Sequence, residues 1–188
     1  MTKALIVYGT RYGATASTSE EIANILRQEG LEVRVVNAKQ EKIKDIAEYD
    51  LVIVGSGILM GKWSREPEEF LEKFQKELAK KKVALFVSCG HGCQALNEGK
   101  PDVIAKARGE YLEEKAAKYN LQPIDLGLFG GIYNYNKVSW LIKRAPRVQA
   151  TRRKLEAAYK ETQPGVYDTR DLDAIRIWAK ELFQKVHS

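Results

Sequence analysis

Residues 8–18 read YGTRYGATAST, directly after the apolar run of residues 3–8 and directly before a helical pattern. The stretch holds two glycines, four serine or threonine hydroxyls and one arginine. A turn between a buried strand and a helix needs one capping side chain, not four hydroxyls. The helix N-terminus that follows presents free N–H groups and the positive end of a dipole, which attract an anion. Thr10, Thr15, Ser17 and Thr18 add hydroxyl donors, and Gly13 lets the backbone approach a ligand. The composition fits a phosphate monoester. No Gly-Lys-Ser/Thr follows, so it is not a Walker A loop, and the G-x-G-x-x-G dinucleotide pattern is absent. The bland alternative is an N-cap with solvated hydroxyls.

Working outward, the pattern strand–helix recurs about five times. The apolar runs at residues 3–8, 51–54 and 83–87 read as the first, third and fourth strands, the third closed by Gly55; residues 31–36, apolar at 31, 33 and 35, read as the second, and residues 124–129 as the fifth. Residues 20–26 form a helix face ending at Gly30. Pro67 opens a helix with Phe70, Leu71, Phe74 and Leu78 on its apolar side. Residues 101–119 read as a helix, and so do residues 172–186, capped by Asp168 or Thr169. Short strands apolar throughout are buried on both faces, which means a parallel sheet with helices on each side. The expected fold is α/β: a doubly wound, five-stranded parallel sheet of order 2-1-3-4-5. In such sheets ligands bind beyond the carboxyl ends of the strands, where strand order reverses.

The segments after the strands carry the site. After the third come Ser56, Gly57, Ile58, Leu59, Met60 and Gly61, then Lys62 and Trp63: bulky apolar residues between glycines. They either clamp a flat aromatic ring or cover the core, and pocket composition favours the ring. After the fourth come Ser88, Cys89, Gly90, His91, Gly92 and Cys93. Cys89, His91 and Cys93 match no usual zinc spacing. Cys89 with Cys93 as a redox pair is a second reading. The preferred one has the glycines shape a wall of the site, with Cys89 packing as a small residue.

The 188 residues read as one domain with a basic excursion over residues 132–165. Net charge is +6, and residues 137–160 hold eight Lys/Arg against the single acid Glu156. That stretch is read first as a solvated basic face. The sharper reading is docking on an anionic membrane face or an acidic partner, with Trp140, Leu141 and Ile142 beside the charges. No nucleic-acid motif appears. The opening MTKALIVYG reads as a first strand, not a signal peptide, and no apolar run is long enough to span a bilayer, so the expected location is cytoplasmic.

With these residues quoted, the chain resembles the flavodoxin-like family from Lys3 to about Val186. The family's first loop, Ser/Thr-x-Thr-Gly-x-Thr, surrounds the phosphate of FMN. Thr10, Gly13 and Thr15 match it, with Tyr12 in place of the middle hydroxyl. The resemblance implies FMN as cofactor. Its phosphate would be held by Thr10, Thr15 and the backbone of Arg11, Tyr12, Gly13 and Ala14. Its ring would be flanked by Ser56, Gly57, Ile58, Leu59, Met60 and Gly61, and by Ser88, Cys89 and Gly90. It also implies that Gly57 and Gly61 let a peptide reorient near the ring.

A closer resemblance is to the branch that contains menaquinone-dependent protoporphyrinogen oxidase. That branch looks like S-T-R-x-G-x-T at the phosphate loop, here residues 9–15, and G-x-S-I-x-x-G after the third strand, here residues 55–61. Ordinary shuttle flavodoxins are acidic, and this chain is basic. The expected function is an FMN oxidoreductase, protoporphyrinogen dehydrogenase-like, passing electrons from a bulky donor to a quinone or another acceptor. The flavin carries the chemistry, so no catalytic residue and no metal is assigned. The alternative is a flavodoxin-type electron carrier that docks an acidic redox protein. A flavin-free phospholigand module on the same fold is the third.

Overall fold

The apolar runs become neighbours in one sheet. The computed structural model describes residues 2–89 and 100–188. Strands β1 (Lys3–Gly9), β2 (Glu32–Asn37), β3 (Leu51–Leu59), β5 (Lys82–Ser88) and β6 (Asp125–Phe129) pair in parallel in the order β2-β1-β3-β5-β6. The short β4 (Lys62–Trp63) folds back antiparallel on the end of β3. The doubly wound parallel sheet is as expected, with β4 as an addition off its path.

Alternation along the strands separates two cores. Leu5, Val7, Val52, Val54, Leu85 and Val87 face one side. There they pack against Phe70 and Leu71 of α2 (Arg65–Lys73), Leu78 of α3 (Gln75–Leu78), and Leu112. Ala4, Ile6, Ile53, Ala84 and Phe86 face the other. They meet Ile22 and Leu26 of α1 (Ala14–Gln28), and Ile175, Trp178 and Leu182 of the helix Leu172–His187. Each large aliphatic side chain so buried contributes about 1.5–3 kcal/mol.

Several local expectations change. Strand β3 does not stop at Gly55 but runs on to Leu59. Glycine stands there because the Phe86 ring lies on it: a Cβ would meet Phe86 Cζ at 2.2 Å. The helical run after Pro67 breaks at Phe74 into α2 and α3. Residues 101–118 are helical, but a π turn occupies Gly109–Glu113. The Trp63 indole donates to the Tyr111 carbonyl at 2.8 Å, the kind of intrusion that widens a helix. The last helix is capped by Asp171, whose carboxylate accepts from Ala174 N at 3.0 Å. Asp168 is engaged by Arg170 and Thr169 by Gly131, so neither is free to cap.

The stretch after β6 turns most of its basic residues to solvent and also has structure of its own. Strands β7 (Ile132–Asn134), β8 (Glu161–Gln163) and β9 (Val166–Asp168) form an antiparallel sheet of order β7-β9-β8. The helix Pro146–Ala158 closes it over a small cluster of Tyr135, Leu155 and Tyr167. Its two ends are stitched together. Thr169 N and Oγ1 each donate to the Gly131 carbonyl at 2.9 Å, and a Cβ on Gly130 would meet the Thr169 carbonyl oxygen at 2.2 Å.

Candidate functional site

Strand order reverses between β1 and β3, since β2 lies on one side of β1 and β3 on the other. A crevice at the carboxyl end of such a pair is where a ligand enters. Register brings Gly9 beside Ser56, and Gly57 beside Ser88. The carboxyl ends of β1, β3 and β5 therefore meet at one edge.

The loop after β1 is held by its own side chains. Thr10 Oγ1 accepts from Gly13 N at 2.9 Å. Gly13 sits at φ +96°, a left-handed conformation that a Cβ disfavours, and turns the chain into α1. No side chain caps α1, and its first turn contains no acid. The N–H groups of Ala14, Thr15 and Ala16 have no intrahelical acceptor. Arg11 is exposed beside them, and Lys137 of the excursion lies 5.9 Å above the Tyr12 ring. This is a positively polarised cradle for an anion.

Two hydroxyls at this edge are buried without a partner among the described residues: Thr15 Oγ1 and Ser88 Oγ. Both neighbour Gly57. A Cβ there would lie 3.2 Å from Thr15 Oγ1, and Ser88 is the register partner of Gly57. An unsatisfied buried hydroxyl costs about 1–3 kcal/mol, so a fold keeps one where a ligand completes it. The other two hydroxyls of the opening stretch go elsewhere. Ser17 Oγ donates to the Gly13 and Ala14 carbonyls and accepts from Arg170, while Thr18 Oγ1, buried further along α1, is likewise without a partner among the described residues.

The segment after β3 is a tight hairpin, not an open loop. Met60 and Gly61 both take positive φ, +50° and +76°, as a two-residue turn between β3 and β4 requires. Met60 is 92% exposed at its tip, whereas Trp63 is 7% exposed and belongs to the core. Ile58 packs against the same core, and Leu59 is half-buried. Ser56 is scaffold: its hydroxyl accepts from Ser64 N at 2.8 Å and donates to the Gly57 carbonyl. Cys89 is buried, and its N–H donates to the Phe129 carbonyl at 2.9 Å. Gly90, His91 and Cys93 lie outside the described residues.

A cleft of about 470 Å³ opens beside the turn, lined by Gly61, Trp63, Glu68, Tyr111 and Lys115 among others. Glu68, Lys115 and Lys118 in it are paired with one another. Burial pushes Glu68 upward, but hydrogen bonds from Lys115 and Lys118, each 2.7 Å, prevail and hold its pKa at about 2. The unpartnered hydroxyls lie at the α1 end instead. Sequence reasoning missed the Thr15–Gly57 contact and Lys137 over Tyr12. The glycine spacing after β3 was the only signal for the first.

A model of the flavodoxin domain matches residues 5–156. The chain belongs to the flavodoxin domain family. Among curated members, a flavodoxin of Clostridium beijerinckii is 32% identical over 89 residues, 46% of this chain and 64% of that protein. The match to that flavodoxin thus spans under two thirds of its length. Protoporphyrinogen IX dehydrogenase [quinone] of Escherichia coli is 22% identical over 138 residues, 73% of each chain. Among solved structures, a flavodoxin from the domain Archaea superposes with a TM-score of 0.58 at 18% identity, covering 100% of both chains. That likeness speaks for the flavodoxin fold. Among the described residues no helix is long and apolar enough to cross a membrane.

Proposed function

We propose that the chain binds FMN at the carboxyl ends of β1, β3 and β5. There it serves as an oxidoreductase that takes electrons from a bulky donor and passes them to a quinone or a redox protein. Protoporphyrinogen is the donor class that the Escherichia coli relative's name points to. The observation that carries the reading is the pair of unpartnered buried hydroxyls, Thr15 and Ser88, around Gly57 and next to an uncapped helix N-terminus. That donor set fits a phosphate with a polar tail leading from it. When bound, the flavin supplies the electron chemistry. The protein's part is positional. Thr15 Oγ1, the hydroxyl of Thr10 and the first-turn N–H groups hold the phosphate. Ile58, Leu59 and Met60 offer an apolar edge at which a ring excludes water, and Arg11 and Lys137 add positive charge.

Two experiments test it. Protein mixed with excess FMN and desalted is expected to keep the flavin's visible absorbance with quenched fluorescence; a colourless product overturns the reading. Thr15→Val keeps the shape and removes the hydroxyl. It is expected to weaken FMN binding by roughly 10–100-fold, the worth of one hydrogen bond to a charged group. The flavin-free protein should lose no stability, because the lost group had no partner. Unchanged FMN affinity removes Thr15 from the site.

A second reading, an electron carrier that docks an acidic protein, is favoured by the absence of any acid between Asp125 and Glu156. Turnover of protoporphyrinogen with a menaquinone analogue separates the two: a carrier shows none.

A further inference from the structure

We propose that the excursion docks the protein on an anionic lipid surface through the turn Trp140–Lys143. Trp140, Leu141 and Ile142 are 63%, 64% and 55% exposed. They are consecutive in one short helical segment. Neighbouring residues of a helix point about 100° apart, so the three cover more than half of its circumference. A flat protein surface reaches one side of such a turn. A lipid interface, which is fluid and about 5–10 Å deep to an amphipathic segment, surrounds all of it. Tryptophan is also a residue that settles at the headgroup level.

Charge surrounds the apolar tip. Lys143 and Arg144 follow it directly, Arg147 lies one turn on, and Lys137 precedes it by three residues. The Arg144 guanidinium lies 5.2 Å from the Trp140 ring centre, which holds the two groups together. No carboxylate occurs between Asp125 and Glu156, and Glu156 pairs with Arg152 at 2.6 Å. The combination of an apolar tip and a cationic collar complements a negatively charged membrane face, not a neutral one.

The tip is also near the site. Lys137 lies over Tyr12 of the anion-binding loop, and three residues span at most about 11 Å, so Trp140 lies within one such reach of Lys137. Docking would therefore bring the carboxyl edge of the sheet toward the bilayer, where a lipophilic acceptor such as a quinone dissolves. That consequence rests on the FMN reading; the docking itself does not.

The test is co-sedimentation of the FMN-loaded protein with phosphatidylcholine vesicles, alone or with about one third phosphatidylglycerol. Pelleting is read on the protein, and flavin content is read on the same samples. The protein is expected to pellet with the anionic vesicles, to be released by high salt, and to ignore the neutral ones. Replacing Lys143, Arg144 and Arg147 together by Gln should lower the partition coefficient roughly 100-fold, about fivefold per charge. Trp140→Ser with Leu141→Ser and Ile142→Ser should lower it at least roughly tenfold, while thermal melting stays as in the parent. Trp63 and Trp178 are each 7% exposed, so a vesicle-induced blue shift of emission should disappear in Trp140→Phe.

Equal pelleting with both vesicles, or an unchanged Gln variant, overturns the proposal. Protein that stays in solution with both also overturns it and assigns the basic face to an acidic protein instead. A preparation that pellets without flavin breaks the FMN reading and leaves docking standing; one that keeps flavin but does not pellet does the reverse.

Discussion

In the sheet, Leu5, Leu85 and Phe86 are wholly buried, and each lies in a cluster fed by several strands and helices. In the excursion over residues 132–168, the enclosed cluster is Tyr135, Leu155 and Tyr167, and two of those three carry hydroxyls. The Tyr135 hydroxyl donates to the Val148 carbonyl, and the Tyr167 hydroxyl donates to Glu161 at 2.7 Å. One region is held by apolar area removed from water. The other is held by a small sheet and a cluster of three buried side chains, with Tyr133, Val148 and Tyr159 packed against it. Apolar burial is insensitive to ionic strength, whereas the Tyr167–Glu161 bond depends on the protonation of its two ends. The comparison leads to the expectation that the sheet holds the larger share of the stability and that the excursion opens first.

The sharpest way to break it is Phe86→Ala. That ring covers Gly55 and touches Phe129 and Trp178, with centroids at 6.0 and 6.2 Å. Its loss should cost about 3–5 kcal/mol in urea unfolding and lower the midpoint for the whole chain. Leu155→Ala should cost about 2–3 kcal/mol within the excursion alone. Amide exchange should quicken over residues 146–168 while β1, β3 and β5 keep their protection. Loss of protection in the sheet as well would unite the two regions into one cooperative unit.

Titration gives the smallest effect and divides the regions by pH. Glu68 is depressed from its ordinary value of 4.5 to about 2, so the stability it adds is present above the higher value and disappears as pH falls through the lower. Glu68→Gln should remove about 1–2 kcal/mol of that acid dependence, since the cluster is partly exposed. Tyr167 runs the other way. Its hydrogen bond to Glu161, with burial, raises it from 10 to about 12, so its contribution holds below pH 10 and fails as pH passes 12. Tyrosinate absorbance and amide exchange followed together should show the excursion opening in that alkaline window before the sheet does.

The sheet was legible because its central strands are short continuous apolar runs, each followed by a helical pattern. The loop after β1 stands out as a candidate anion site because glycines and hydroxyls are dense at the end of one of them. What was not legible was non-local. Gly55 has the one-dimensional signature of a strand end, and only the Phe86 ring, distant in sequence, explains it. Asp168, Thr169 and Asp171 are all good caps, and choosing among them needs Arg170 and Gly131 in place. Trp63 reads as a ring clamp until its indole finds the Tyr111 carbonyl. The three-residue strands of the excursion are too short to show a period. The placement of Thr15 against Gly57 is the same kind of fact: two loops, each legible alone, whose contact the linear order does not state.

The stitch between Gly131 and Thr169 has a consequence for how such a chain can vary. Because the two ends of the excursion are already bonded to each other, whatever lies between them is a detachable module plugged into a fixed socket. Closing a longer or shorter segment there costs only a logarithm of its length. The register of β1, β3 and β5 has no part in that exchange. Lineages, or designers, are thus free to swap the surface on which the protein works while inheriting the uncapped α1 N-terminus and its hydroxyls, with only the charge of Lys137 over Tyr12 exchanged along with it.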